Sequence, residues 1–219
     1  MPHDIEHHIM EIDSVSKAYG DRDILSSIYL KVQTGDICAL FGRNGAGKST
    51  LQKIIYGTLR PDYKFLRIDG NFLRKPYTHS SYISYLPDDQ FTPKNLKVKQ
   101  IFKLYDIPKQ ELDDIILRFY NSRISELSSG ELRYIEIHLI LLKKAYFALL
   151  DEPFKFLSPL MIERIERLII SQSKEKGIII TDHRYRNVLN IATRILLIRD
   201  AALFEVEDEK DLAEKGYIV

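Results

Sequence analysis

The stretch GRNGAGKST, residues 42–50, places glycines, a lysine and two hydroxyl side chains directly after the apolar run ICALF. Glycines let successive backbone N–H groups turn inward around an anion, and a helix that begins there adds the positive end of its dipole. In this spacing Lys48 can reach terminal phosphates, and the Ser49 hydroxyl can bind Mg²⁺. The pattern predicts a loop that binds nucleoside phosphates. The alternative is a flexible turn with an exposed lysine.

A pair of carboxylates ends another apolar run, in YFALLDEP. Asp151, at the predicted strand end, suits Mg²⁺ binding, directly or through water. Glu152 beside it suits orienting or deprotonating a water molecule that attacks a phosphate. Acidic pairs at strand ends are also commonly just solvated, so this stretch taken alone leaves both interpretations open.

Two further stretches carry polar groups that could meet an anion. SELSSGE, residues 125–131, stands at the start of a long helical pattern, where helix amides and Ser128 could form a second anion site. Judged alone, it favours a simple N-cap that Glu131 assists. GIIITDH is an apolar run that ends in His183, which could hydrogen-bond a terminal phosphate or could simply be a surface residue.

Strand and helix patterns alternate along the chain that must position these groups. Eight segments indicate strands, and several are too apolar to have a solvated face: IMEIDSV, SIYLKV, DICALF, KFLRID, YISYL, YFALLDE, GIIIT and RILLIRDAALFEV. Helical patterns follow Lys48 and recur in LKVKQIFKLY, QELDDIILRFY, GELRYIEIHLILLKKAY and LMIERIERLIISQSK. The order predicts an α/β fold in which a mixed sheet has a parallel core. Residues 91–145 carry only helical patterns, so we expect a helical insert there.

One of these helices is predicted to be amphipathic. In GELRYIEIHLILLKKAY, Leu132, Ile135, Leu139 and Leu142 recur at helical spacing and would form one apolar face.

Composition narrows the function classes. The chain has 219 residues, with 32 basic and 31 acidic side chains, and its net charge of +1 gives no electrostatic footprint for nucleic acid. The single cysteine, Cys38, excludes an internal disulfide and fits a reducing compartment. No run approaches the roughly 20 apolar residues that span a bilayer, and the start is neither a signal nor a transit peptide. We therefore expect one cytoplasmic domain that binds its anion locally.

The order of the four motifs resembles that of ATP-binding-cassette (ABC) ATPases over essentially the whole chain. GELRYIEIHLILLKKAYFALLDEPF is similar to the helix-to-strand run of bacterial transporter ATPases, notably those of the lipopolysaccharide-export and branched-chain amino-acid types. The resemblance implies a P-loop NTPase fold with a RecA-like mixed sheet core, an N-terminal antiparallel β subdomain and a compact helical subdomain. Residues 1–219 would form a single domain, with residues 1–90 and 146–219 as the core and β subdomain and residues 91–145 as the helical subdomain.

The resemblance also assigns roles to residues around ATP and Mg²⁺. Tyr19, in SKAYGDRDIL, would stack on adenine. The alternative is that Tyr19 is simply one of the thirteen tyrosines, placed on a strand edge. The rest of the nucleotide-binding set is the phosphate loop itself: Gly42, Arg43, Asn44, Gly45, Ala46, Gly47, Lys48, Ser49 and Thr50. Lys48, Glu152 and His183 would be catalytic, and the metal ligands would be Ser49, Asp151 and Asp88. The reaction would be transfer of the γ-phosphoryl group to water.

In the family two subunits pair head to tail, so that each ATP lies between the phosphate loop of one chain and the signature helix of the other. The signature residues that would contact the ATP of the other chain, in trans, are Ser128, Ser129, Gly130 and Glu131. A monomer would therefore be nearly inert. The implied partners are a second copy or a paralogous ABC subunit, and a transmembrane permease that holds the protein at the inner face of the cell membrane. Direct nucleic-acid binding is not expected. The alternatives are a soluble ABC ATPase that acts on a cytosolic complex, and a dimerisation switch that binds ATP and hydrolyses it slowly.

Several positions depart from the family pattern. After YISYLP the family has a glutamine that touches Mg²⁺, whereas this chain has Asp88, and Gln90 comes two places late. Asp88 is the predicted replacement, with Gln90 as the alternative if the loop is rearranged.

Three other departures lie in the signature and in two turns. Ser129 stands in place of the first signature glycine, and Ser158 in place of an aspartate that links the two sites of the family's dimer. The last hairpin turns at Asp200-Ala201, where glycine would be usual. The departures at residues 88, 129 and 158 predict that ATP binding is kept while hydrolysis or its coupling is slow.

Overall fold

A computed structural model describes residues 6–79 and 81–217. Its strands are β1 (Ile9–Tyr19), β2 (Arg22–Gln33), β3 (Ile37–Phe41), β4 (Tyr63–Ile68), β5 (Asn71–Phe72), β6 (Ile83–Leu86), β7 (Phe147–Asp151), β8 (Gly177–Thr181), β9 (Arg194–Arg199) and β10 (Ala202–Val206). Its helices are α1 (Lys48–Tyr56), α2 (Val98–Leu104), α3 (Asp114–Phe119), α4 (Ser129–Leu142), α5 (Pro159–Ser173), α6 (Tyr185–Ile191) and α7 (Glu209–Glu214). All eight predicted strand segments are strands, while α6 was not predicted.

The strands form two sheets. An antiparallel sheet has the order β2-β1-β4-β5, and a six-stranded sheet has the order β10-β9-β3-β8-β7-β6. In the second sheet the five strands from β9 to β6 run parallel, and β10 pairs antiparallel to β9. The prediction of an α/β fold with a mixed, largely parallel sheet and an N-terminal antiparallel sheet is confirmed.

Both faces of the six-stranded sheet are buried, as is usual for parallel sheets. In β3, Ala39 and Phe41 point into a core shared with the helices, whereas Cys38 and Leu40 point into a core shared with the antiparallel sheet. The strand can therefore be apolar throughout, which is why it reads as a continuous hydrophobic run in the sequence.

The strand order brings the chemically active segments to one edge. Strand β8 lies between β3 and β7, with Ala39 opposite Ile180 and Asp151 opposite Thr181. Since parallel strands end at the same side, the loops after these three strands meet there, as ligand sites of open α/β sheets do.

Helix α4 differs from the amphipathic helix that was predicted. From Leu132 to Leu141 it is buried on all sides, and Arg133, Glu136 and His138 are buried with its apolar residues, at 2%, 0% and 4% exposure. A helix that is buried around its whole circumference belongs to the core. The prediction of an amphipathic helix was wrong, because the sheet, α5 and residues 87–92 surround the helix and provide partners for its charges.

Residues 91–145 contain α2, α3 and α4, together with short 3₁₀ turns and one isolated bridge between Lys97 and Arg123. The subdomain boundaries at 91 and 145 remain a prediction. None of the described helices combines the length and apolar character that crossing a bilayer would demand.

Candidate functional site

The phosphate loop connects β3 to α1 and needs its glycines for space and for backbone conformation. Gly42, Gly45 and Gly47 have φ angles of 155°, 77° and 106°, in the region that favours glycine. A Cβ added to Gly42 would lie 2.8 Å from the Ile198 carbonyl oxygen, and one added to Gly47 would lie 2.9 Å from a methyl group of Ile24. Both close approaches exclude a larger residue.

Lys48 points back into the loop. Its Nζ donates hydrogen bonds to the carbonyl oxygens of Gly42 at 2.7 Å and of Arg43 at 3.3 Å. Burial lowers the pKa of Lys48, and the charges of Glu152 and Asp151 oppose that shift. The ammonium group is therefore held beside the carboxylates that follow β7, at the place where a terminal phosphate would need a cation.

Ser49 and Asp151 form a pair suited to a divalent cation. The Ser49 hydroxyl donates to Asp151 Oδ1 at 3.0 Å, and the Thr181 hydroxyl donates to the same oxygen at 2.8 Å. Tyr85 approaches the other carboxylate oxygen at 3.5 Å. Hydroxyl and carboxylate oxygens are ligands that Mg²⁺ accepts, usually with waters and substrate phosphates completing its shell. The donor set therefore fits Mg²⁺, with Ser49 and Asp151 as the residues that would hold it.

Glu152 and His183 also lie together, at the ends of two neighbouring strands. Glu152 Oε1 is 3.0 Å from His183 Nε2. Glu152 has a φ of 50°, while its backbone N–H is fixed to the Thr181 carbonyl at 2.8 Å. A left-handed conformation costs a non-glycine residue about 1–2 kcal/mol. This strained turn directs the carboxylate across the strand ends toward the loop after β8.

These groups line one cleft of about 320 Å³. Its walls are Tyr19, Ile24, Asn44, Gly45, Gly47, Lys48, Ser49, Thr50, Glu152 and His183. Tyr19 is 55% exposed at the cleft, and Lys17 Nζ lies 5.2 Å from the centre of its ring. The predicted catalytic groups and the adenine-stacking candidate thus share one cavity, although each role remains a prediction.

A larger cavity of about 840 Å³ adjoins this cleft and shares Ile24, Asn44 and Gly45 with it. It is lined by residues 43–46, by the β9–β10 hairpin and by residues 214–217. Lys48, Ser49, Glu152 and His183 are absent from its wall, so the smaller cleft is the candidate site.

The signature residues form a capped helix start in this structure. The Ser128 hydroxyl accepts from the Glu131 backbone N–H at 3.3 Å, and a Glu131 carboxylate oxygen accepts from the Ser128 backbone N–H at 2.8 Å. This is a capping box. The N-cap interpretation therefore holds, and no residue from 128 to 131 lines the described cleft.

Gly130 is fixed by the loop that follows β7. A Cβ added there would lie 2.6 Å from the Phe156 carbonyl oxygen. The start of α4 thus packs directly on residues just beyond the Asp151–Glu152 pair. Ser129 is exposed beside it, so its side chain does not disturb this contact.

Asp88 has a partner that the sequence did not indicate. Its Oδ1 accepts a hydrogen bond from Lys155 Nζ at 2.6 Å, and this bond raises the pKa of Lys155. Gln90 is exposed. Both residues remain predicted candidates for the position at which the family has a glutamine that touches Mg²⁺. The charge of Asp88 is neutralised by Lys155, from the loop after β7.

Arg133 is the main site residue that the sequence analysis missed. Its guanidinium donates to the carbonyl oxygens of Pro87 at 2.7 Å, of Glu152 at 3.0 Å and of Asp151. Burial lowers its pKa, while nearby carboxylates, Glu136 first, oppose that shift. Arg133 therefore fastens the signature helix to the ends of β6 and β7.

Glu136, one helical turn further on, holds the segment after Asp88. One carboxylate oxygen accepts from the backbone N–H groups of Phe91 at 3.0 Å and Thr92 at 3.2 Å, and from the Thr92 hydroxyl at 2.9 Å. Its other oxygen lies 3.8 Å from Arg133. The i, i+3 pair of opposite charges within an apolar helix was the only signal in the sequence that could have revealed this network.

Comparisons with known proteins agree with this geometry. The profile described as ABC transporter matches residues 25–155. The lipopolysaccharide export system ATP-binding protein LptB of Haemophilus influenzae is 30% identical over 208 residues, covering 87% of this chain and 86% of that protein. An uncharacterised ABC transporter ATP-binding protein of Methanocaldococcus jannaschii is 25% identical, covering 94% of this chain and 80% of its own length.

Solved structures show the same fold. The ATP-binding subunit of an ABC transporter has a TM-score of 0.83 at 22% identity and covers 95% of this chain and 94% of its own. A nucleotide-free ATP-binding cassette from an ABC transporter has a TM-score of 0.75 at 20% identity, with 94% of each chain covered. The profile match extends over more than half of the sequence and includes the phosphate loop, Ser128–Glu131 and Asp151–Glu152. The chain belongs to the ATP-binding subunits of the ABC transporter family.

Proposed function

We propose that two copies of this ABC transporter subunit pair head to tail around two Mg-ATP, hydrolyse them and drive a separate transmembrane partner. The observation that carries the proposal is the meeting of Ser49 with Asp151, and of Glu152 with His183, at the edge where the phosphate loop lies. The cleft is then lined by the Lys48 cation, by Ser49 and by Glu152 as a candidate base for water, and the buried Asp151 lies behind Ser49.

The chemistry assigns each group a separate task. Mg²⁺ would be held by Ser49 and Asp151 and would neutralise phosphate charge. The Lys48 ammonium and the loop amides bind the triphosphate oxygens. Glu152 orients and polarises the attacking water, and His183, in contact with it, fixes the carboxylate and reaches the γ-phosphate. Catalysis by such a site is mainly positioning and charge stabilisation.

A second copy supplies what the cleft lacks. Ser128 and Gly130 do not line the cleft of their own chain. The capping box uses the backbone N–H groups of Ser128 and Glu131, which leaves those of Ser129 and Gly130 for an anion from outside. A second phosphate loop that faces this helix start would gain a donor cage. The partner copy, or a paralogous subunit, thus completes the site.

The transmembrane partner would hold the protein at the inner face of the cell membrane. Its docking region would lie between the Asp88 loop and the helical segment that starts at residue 91. Glu136 binds Phe91 and Thr92, and Arg133 binds the carbonyl oxygens of Pro87 and Glu152. Movement of that loop would therefore shift the signature helix and the backbone of Glu152.

We propose that hydrolysis is slow. The Asp88 carboxylate replaces a neutral amide and is paired with Lys155, so it must leave that lysine before it can approach a metal ion. This charge pair also favours the dimerisation switch as the second candidate function. A soluble ABC ATPase that acts on a cytosolic complex is the third.

Mg-ATP binding, the cellular location of the protein and its turnover rate test the proposal. Calorimetry with folded protein should register Mg-ATP uptake, and its absence would refute the nucleotide site. After lysis, co-sedimentation with membranes through an integral protein supports the transporter function, whereas recovery in a cytosolic complex supports the soluble alternative. Turnover of several per second, within the ordinary enzyme range of ~1–10³ s⁻¹, would refute slow hydrolysis.

A further inference from the structure

The turn after α7 is anchored in the core and directed toward the phosphate loop. Gly216 has a φ of 70°, so the chain reverses just after the helix. The Gly216 N–H donates to Ala213 at 2.8 Å, and the Tyr217 N–H donates to Leu212 at 3.0 Å. Leu212 is fully buried in the helical core. The direction of Tyr217 is therefore fixed by the fold.

Tyr217 packs on the residue that precedes the phosphate loop. Its ring stacks on Phe41, with centroids 5.3 Å apart and planes 29° apart. Phe41 is fully buried and ends β3. Burial raises the pKa of the Tyr217 hydroxyl, while the Gly42 N–H, which interacts with it, opposes the shift. The Tyr217 ring thus packs on the strand end that directly precedes the loop.

Two arginines hold the same turn from the sheet side. Arg43, within the phosphate loop, donates through Nη2 to the Gly216 carbonyl at 3.2 Å. Arg199, at the end of β9, donates through Nη1 to the Lys215 carbonyl at 2.9 Å. Strand β9 pairs with β3, so the loop, the strand before it and the turn form one connected unit.

The larger cavity explains why this contact matters. It is lined by residues 43–46 of the loop, by the β9–β10 hairpin, by residues at the start of β2 and by the turn at 214–217. The glycine-rich loop therefore has open space next to it. A loop that must order when ligand binds loses affinity, and prior fixing of its bound conformation recovers it.

We propose that Tyr217, together with the Gly216 carbonyl, positions Phe41–Arg43 so that the phosphate loop is preformed for ATP. Neither residue lines the nucleotide cleft, so both act through the loop as positioning residues. The inference rests on the proposed nucleotide site. It adds that ATP affinity depends on a segment more than 160 residues further along the sequence.

The test compares full-length variants by calorimetry with Mg-ATP and by steady-state kinetics. Tyr217→Ala should raise Kd and KM about tenfold, equivalent to about 1.4 kcal/mol, with kcat within about twofold. Tyr217→Phe keeps the stacking and should stay within about threefold of wild type. Tyr120→Ala is the matched control, because Tyr120 is another partly buried tyrosine on the helical core, and it should leave Kd unchanged.

Arg43→Met provides the second variant, since the Arg43 side chain is exposed and its loss should not prevent folding. It should raise Kd severalfold and increase hydrogen exchange of the amides at residues 44–50. Wild-type Kd in both Arg43→Met and folded Tyr217→Ala would overturn the inference, as would an equal rise in Tyr120→Ala. Failure of the wild-type protein to bind Mg-ATP would instead overturn the nucleotide site itself.

Discussion

The Glu152 carboxylate lies 3.0 Å from the His183 imidazole, although the two residues come from different strand ends. Parallel pairing of β7 with β8 brings them together, and the left-handed turn at Glu152 directs its side chain to the contact. Conformational strain at a non-glycine residue is retained where surrounding structure enforces it, commonly at functional sites. The pair is therefore the most direct structural sign of chemistry at this edge.

Replacement of the carboxylate should separate binding from turnover. Glu152→Gln retains hydrogen bonding but removes the base, so we expect kcat to fall about 100-fold or more while Mg-ATP still binds. Phosphate release measures the rate, and calorimetry measures binding. Glu163→Gln, on the exposed face of α5, is the control and should keep normal turnover. Undiminished kcat in Glu152→Gln would exclude the water-activating role.

Removal of the buried guanidinium should lower the stability of the fold. Arg133→Met leaves Glu136 without its cation and three carbonyl groups without their donor, so the free energy of unfolding should fall by about 3–5 kcal/mol. Arg133→Lys should lie in between, since one ammonium cannot replace the planar fork. Urea unfolding measures the free energy of unfolding of each variant. The exposed Arg118→Met serves as control; equal stability of Arg118→Met and Arg133→Met would contradict the network.

The hairpin between β9 and β10 offers a stabilising substitution. Asp200 and Ala201 have φ angles of 50° and 61°, as both central residues of this two-residue turn require. Ala201→Gly removes the steric cost and should raise the free energy of unfolding by about 0.5–1 kcal/mol, after the greater freedom of glycine in the unfolded chain is subtracted. Ala202→Gly, in the strand, should destabilise instead. Thermal melting that ranks the two variants in the opposite order would refute this account of the turn.

A buried lysine should make stability depend on alkaline pH. Burial lowers the pKa of Lys176 from 10.5 to about 8, and its Nζ donates to the carbonyl oxygens of Leu141 and Lys143 at the end of α4. Between these two pKa values the unfolded chain binds more protons than the folded chain, so this residue makes stability rise with pH, by about 1 kcal/mol per unit.

The measurement is the unfolding free energy at pH 7.5 and pH 9.5, for wild type and Lys176→Met. Subtraction of the variant cancels other titrating groups, and the wild-type gain should exceed that of the variant by about 1–2 kcal/mol. Identical pH slopes would contradict the shifted pKa.

The sequence predicted the parts of the site that depend on backbone pattern. The phosphate loop, the strand before it and the carboxylates after β7 follow from glycine spacing and continuous apolar runs, which local physics determines. The contact between Ser49 and Asp151, both expected as Mg²⁺ ligands, is explained by the structure, because β3 and β7 are parallel strands that end at the same edge.

Contacts between side chains that are far apart in the sequence could not be predicted in this way. The Asp88–Lys155 pair joins residues 67 positions apart, and the charges of Arg133 and Glu136 are buried only because other segments surround α4. Helix α6, with the sequence YRNVLNI, is too short for periodicity to reveal. Contacts of this kind are decided by tertiary packing rather than by local preference.

The central claim, that two copies enclose Mg-ATP, is tested most directly by light scattering of Glu152→Gln with and without Mg-ATP. The mutation should trap the closed state, so the mass should double when nucleotide is added, and Ser129→Arg, placed at the exposed start of α4, should abolish the doubling while calorimetry still registers binding. A monomeric mass in a Glu152→Gln sample that calorimetry finds saturated with Mg-ATP would contradict the account.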